Sequence, residues 1–167
     1  LYKLPGAEEV DINRRYRENK TLLHIAVEER NRSSLESIYS TNGVELSATD
    51  INGNTALHYA ALDKNRSFFE LIVNKEGVDL TKENNEGLTP LDILSQDEEN
   101  YPLILESAMR LQGDSMITNK RFHNGNTLFH MAVHCENQTA MSDMTKLGRA
   151  ESIENNQGHT PFDLAAL

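Results

Sequence analysis

Asp50-Ile51-Asn52-Gly53-Asn54-Thr55-Ala56-Leu57-His58-Tyr59-Ala60-Ala61-Leu62 joins a turn to a short helix, and its reading sets the architecture. Gly53 supplies the positive φ that the turn demands. Thr55 stands where a helix N-cap is needed, its hydroxyl free to serve an orphan amide. Ala56 to Leu62 then reads as a helix with Leu57, Ala60 and Ala61 on its packing side. Asp63-Lys64-Asn65-Arg66 breaks it. A second helix is expected to be capped by Ser67 and to run to Asn74, with Phe69, Leu71, Ile72 and Val73 as its apolar face. Gly77 ends that helix, and Val78-Asp79-Leu80-Thr81 extends toward the next turn, Asn84-Asn85-Glu86-Gly87.

The unit recurs. Thr21-Leu22-Leu23-His24, Thr55-Ala56-Leu57-His58 and Thr127-Leu128-Phe129-His130 share one pattern, and Thr89-Pro90-Leu91-Asp92 and Thr160-Pro161-Phe162-Asp163 fill its register. The threonines are 34, 34, 38 and 33 residues apart. Asn31-Arg32-Ser33 matches Asn65-Arg66-Ser67, and Gly43-Val44-Glu45-Leu46 matches Gly77-Val78-Asp79-Leu80. Helices this short are not stable alone, so each must pack on its partner and on neighbouring units. The alanines let first helices lie close while longer second helices spread outside, which predicts a curved stack.

This pattern resembles the ankyrin repeat, through turn-Gly-x-Thr-x-Leu-His-x-Ala and over essentially the whole chain. The tetratricopeptide period is similar, but its signature lacks a Gly-x-Thr turn before the first helix. The resemblance implies an all-α solenoid of helix-turn-helix units joined by β-hairpin-like finger loops. It divides residues 1–167 as one array: a partial repeat 1–17, repeats near 18–49, 50–83, 84–121 and 122–154, and a partial repeat 155–167. The third repeat is irregular. Asp92 replaces His, Leu94 replaces Ala, and about two extra residues are expected in Ser95–Asn100 and two near Gly113–Phe122, with Pro102 in the first turn of the second helix. Leu1 to Leu4 with Gly6-Ala7 reads as the tail of a second helix, Val10-Asp11-Ile12-Asn13 as the following finger, and Leu164-Ala165-Ala166-Leu167 as the inside of a first helix. Without polar capping repeats, the expectation is a segment of a longer protein.

Of 167 residues, 38% are apolar, low for one closed core and ordinary for an array with a large exposed face. No apolar run reaches the length of a membrane span. A lone Cys135 cannot form an intrachain disulfide, so a reducing compartment, cytoplasmic or nuclear, is expected. The net charge is −10, and residues 1–40 are balanced with seven basic and seven acidic side chains. The excess lies beyond them: from Glu83 to Asp114 there are eight acids and one base, Arg110. Such a field disfavours nucleic acid and anionic lipid and favours a basic protein segment, although acidic surfaces also simply keep an array soluble.

Catalytic readings fail on spacing. His24, His58 and His130 occupy one repeat position, so they cannot converge on one centre. In the family resembled, that histidine bonds neighbouring finger backbone. His130 and His134 stand at i, i+4 with Cys135 adjacent, but no further Cys or acid completes a zinc set, so neither metal nor cofactor is expected. Asp97-Glu98-Glu99 reads as a solvated loop rather than paired acid–base carboxylates. No phosphate loop, nucleophile elbow or dinucleotide fingerprint occurs. Asn13 sits where the resemblance places finger hydroxylation in some members.

The resemblance also implies where a partner binds: finger tips and the exposed side of first helices. The matching positions are Ile51, Asn52, Asn85, Glu86, His123, Asn124, Asn156 and Gln157 on tips. Those on helices are Ile25, Glu28, Glu29, Tyr59, Leu62, Asp63, Gln96, Asp97, Met131 and His134. The reading is a non-catalytic, monomeric protein-interaction module offering a concave, partly acidic groove, in an intracellular or host-delivered protein. Two settings stay open beside it: an array that recruits substrate or partner for a catalytic domain elsewhere, and the cytosolic array of a channel or scaffold.

Overall fold

The computed structural model describes residues 11–62, 66–110, 117, 119–147 and 152–166. The expectations for Leu1 to Val10, Asp63 to Asn65, most of the Gly113–Phe122 stretch and Leu167 lie outside them. The described helices come in pairs: α1 (Leu22–Glu28) with α2 (Arg32–Tyr39), α3 (Ala56–Leu62) with α4 (Arg66–Val73), α5 (Pro90–Leu94) with α6 (Tyr101–Met109), and α7 (Leu128–His134) with α8 (Gln138–Leu147). A final helix, α9 (Pro161–Ala165), follows. Short 3-10 turns cover Arg17–Asn19 and Glu98–Asn100. The chain divides between Gly87 and Leu88 into two compact units.

In two of these pairs, one asparagine ends the first helix and starts the second. After α1 the chain takes the left-handed region at Arg30 (φ 53°), and the Asn31 amide returns to the Ala26 carbonyl at 2.9 Å. Glu136 (φ 52°) and the Asn137-to-Ala132 bond at 2.9 Å repeat this after α7. The same Asn side chains then accept from Ser34 N–H (2.9 Å) and Ala140 N–H (3.0 Å), capping α2 and α8. The cap expected at Ser67 needs correcting: α4 begins at Arg66, and the serine falls inside its first turn. Phe68 also joins Phe69 and Ile72 in the core, while Leu71 and Val73 are only half-buried.

In the first unit α1 packs against both α2 and α3. Ala56, Ala60 and Ala61 are buried, as close helix approach requires, with Leu23, Leu35, Leu57 and Phe69 filling the core around them. In the second unit α7 packs against α6, α8 and α9, over Leu103, Ile104, Leu128 and Ala132. Each fully buried leucine or phenylalanine contributes about 1.5–3 kcal/mol, which is how helices of five to ten residues persist.

The fingers are simpler than a β-hairpin: no strand occurs among the described residues. Four are closed by a backbone bond across the base, Tyr16 N–H to Lys20 O, Asp50 to Asn54, Phe122 to Asn126, and Asn155 to His159, at 2.8–2.9 Å, with a second, tighter turn bond inside each. Successive tips are tied directly. Asn85 N–H reaches Asn52 O at 3.0 Å and Asn156 N–H reaches Asn124 O at 3.2 Å. At Gly53 and Gly125 (φ 76° and 77°) a Cβ would stand 2.6 Å and 2.4 Å from the Oδ1 atoms of Asn85 and Asn156, so glycine is needed for both conformation and approach.

Candidate functional site

The repeated Thr–His pair is a fixed structural device. His24 Nδ1 accepts the Thr21 amide (3.1 Å) and hydroxyl (2.8 Å), leaving Nε2–H to donate to Asn54 O at 3.0 Å. His130 repeats this with Thr127 and His159 O, at 3.1, 2.8 and 2.9 Å. His58 Nδ1 takes the Thr55 amide and hydroxyl at 3.0 and 2.8 Å. All three rings are fully buried. Burial holds His24 and His130 below the ordinary histidine pKa, so both are neutral. With both nitrogens of His24 and His130 engaged, neither ring has a lone pair left for a metal. Among the described residues no group of three or more His, Cys, Asp or Glu gathers as ligands.

In the third repeat Asp92 performs the cap. Its Oδ2 accepts the Thr89 amide at 2.9 Å and hydroxyl at 2.7 Å, and Lys120 Nζ, from the following finger, reaches the same oxygen at 2.6 Å. A carboxylate cannot donate onward as Nε2–H does, so a cation supplies the link between repeats. Lys120 carried no motif that would have singled it out.

In the first unit, Ile51 and Leu62 are the most exposed apolar members of the expected surface, 64% and 55% accessible. Tyr59 is half-buried and held: its hydroxyl donates to Asp50 Oδ2 at 2.8 Å, its ring meets His24 edge-on at 5.8 Å, and Lys20 Nζ lies 5.1 Å from its centroid. Asp50, itself buried, accepts the Asn52 and Asn54 amides at 2.9 and 2.8 Å through its other oxygen. Burial and the Asp50 carboxylate push the Tyr59 hydroxyl up to about 12. Asn52, Asn85 and Glu86 are exposed, but the Asn85 side-chain amide is engaged by Ile51 O at 3.1 Å, tying tips together. Asp63 lies outside the described residues. Ile25 and Glu29 line a separate hollow of about 370 Å³ with Leu22, Ser34 and Ile38, between α1 and α2, while Glu28 pairs with Lys20 at 2.9 Å.

In the second unit Gln96 and His123 are exposed. Asp97 Oδ1 accepts the Glu99 amide at 3.2 Å and so caps the Glu98–Asn100 turn. His134, 49% exposed, stacks edge-on against buried Tyr101 at 5.3 Å, and its Nε2 lies 3.8 Å from Glu98 Oε2. The Tyr101 hydroxyl accepts from the Asn124 and Asn126 side chains. Met131 corrects the sequence reading: it is 0% exposed and belongs to the core, while His134, one turn on, keeps about half of its surface in water. Asn13, too, is structural. Its side-chain amide donates to Gly43 O (2.7 Å) and accepts from Glu45 N–H (2.9 Å), and Ser47, one repeat on, reaches Gly77 O at 3.3 Å.

Sequence reasoning missed the polar spine within the fingers. Asn84 Nδ2 donates to Asn54 Oδ1, and Asn155 Nδ2 to Asn126 Oδ1, both at 2.9 Å. The recurrence of asparagine at turn starts and ends was the available signal.

No curated protein matches this chain. A family model for ankyrin repeats, in three copies, matches residues 23–107, a little over half of the sequence and the stretch from α1 to α6. The histidine and aspartate caps, the glycine-locked tips and the paired helices continue the same plan beyond that stretch to α9. The chain belongs to the ankyrin repeat family, whose members generally serve as protein-binding modules.

Proposed function

We propose that this chain binds a protein partner through the finger-and-first-helix face, without catalysis. The observation that carries the reading is the pairing of exposed apolar side chains with a backbone they do not help to hold. Ile51 and Leu62 are exposed, yet the Tyr59–Asp50 bond fixes the finger of the one against the helix of the other. Tyr59 and Leu62 stand at i, i+3 and share a helix face. A surface ordered before binding loses little entropy on association.

In the second unit Gln96 and Asp97 adjoin Glu98 and Glu99 in the chain and His134 lies 3.8 Å from Glu98 Oε2, and this acidity favours a partner segment with basic character. The lone, half-buried Cys135 suits a reducing compartment.

The test is parallel capture with wild-type chain, Ile51→Glu/Leu62→Glu and an α2 control, Arg32→Glu, each verified as folded by circular dichroism. Quantitative mass spectrometry should find proteins retained by wild type and control but lost from the double variant. Equal retention by the double variant rejects this face.

A further inference from the structure

The repeat junctions of this chain use two different chemistries for one mechanical purpose. At Thr21–His24 and Thr127–His130 the cap is a buried neutral imidazole whose Nδ1 lone pair receives two threonine donors. Protonation at Nδ1 would set a proton against the threonine amide N–H, so a charged ring loses that bond even where the hydroxyl turns to accept. At Thr89–Asp92 the cap holds no imidazole: Asp92 Oδ2 receives the two threonine donors and the Lys120 ammonium.

We propose that mild acidification opens the histidine-capped junctions selectively while the Asp92–Lys120 junction holds, making the chain a graded acid-sensitive array.

The neighbours of each ring agree with this. His24 faces Asp50 from the next finger, Arg15 and Lys20 from its own, and the Tyr59 ring from α3. Burial opposes its protonation most and the two cations add to that, while the Asn54 carbonyl and Asp50 favour it without reversing the balance. His130 faces Arg121, whose charge also opposes protonation, and the His159 carbonyl, which accepts from Nε2–H in the neutral ring and favours the charged ring less than burial opposes it. Both rings therefore have folded pKa values below the ordinary value near 6.5. A freed ring binds protons more readily than a closed one. The stabilisation is complete above pH ~6.5 and is lost as pH falls below it. At pH ~5.5 a freed imidazole is protonated about ten to one, which favours opening by that factor.

The amides of Thr21, Thr89 and Thr127 report their junctions separately, through hydrogen exchange corrected for intrinsic rate. Between about pH 7.5 and pH 5.5, Thr21 and Thr127 should lose protection by up to about tenfold, and Thr89 by less than about twofold. A His130→Gln variant keeps an acceptor at the capping position but cannot titrate. Its Thr127 step should vanish while that of Thr21 persists. Undiminished protection at Thr21 and Thr127, or a fall of all three amides in step, overturns the proposal. The wild-type comparison decides even if the glutamine variant fails to fold.

Discussion

Lys120 holds its ammonium 2.6 Å from Asp92 Oδ2 and 3.2 Å from the Thr89 hydroxyl, so a residue of the following finger completes the cap of α5. Lys120 keeps 25% of its side-chain surface in water, which places the pair below the cost of breaking a fully buried one. Lys120→Met should cost about 2 kcal/mol. Asp92→Ala should cost more, about 3 kcal/mol, because the Thr89 cap goes with the charge. Urea unfolding measures both, and losses under about 0.5 kcal/mol would show the pair to be ornamental.

Tyr59 gives the chain an alkaline limit. Its folded pKa, about 12, lies above the ordinary value near 10, so folding favours the neutral phenol. That contribution is complete below pH ~10 and declines as pH rises from 10 toward 12. Tyr59→Phe should lower stability by about 1 kcal/mol at neutral pH and flatten the alkaline decline. An unchanged alkaline profile in the variant would contradict Tyr59 as its source.

Met131 behaves as core. Met131→Ala should destabilise by about 2–5 kcal/mol, a cavity effect, with thermal or urea melts as the measure. A loss of partner capture with full stability retained would return Met131 to the binding surface.

Gly53→Ala tests the tips. A left-handed alanine costs about 1–3 kcal/mol, and the close approach of Asn85 adds to it. At the equivalent point of the first finger the chain carries Asn19 at φ 61°, where Asn19→Gly should gain at most about 1 kcal/mol. Equal responses at the two tips would mean that the approach of Asn85 is immaterial.

The recurring Thr and Gly residues made the helix pairs legible before any coordinates, since capping and positive φ are local demands that a few residue types satisfy. α3 spans Ala56–Leu62, the range its sequence predicts. Features that local chemistry does not encode were misread. Ser67 falls inside α4 instead of capping it, and in the first pair the cap of α2 is Asn31, whose amide also closes α1. Met131 and His134 stand one turn apart on α7, yet one is core and the other half exposed, a difference that tertiary packing makes and spacing does not encode. The Lys120 link depends on a finger of irregular length, so no fixed offset in the sequence points to it.

The asparagine spine has a direction. In each observed link the later residue gives the hydrogen and the earlier one receives it, Asn84 to Asn54 and Asn155 to Asn126. The two roles fall on different repeats: Asn54 and Asn126 end their fingers as sockets, and Asn84 and Asn155 start the following fingers as plugs. The repeats of this chain are therefore not interchangeable: a rearranged order keeps these links only where a finger that starts with the donor follows one that ends with the acceptor.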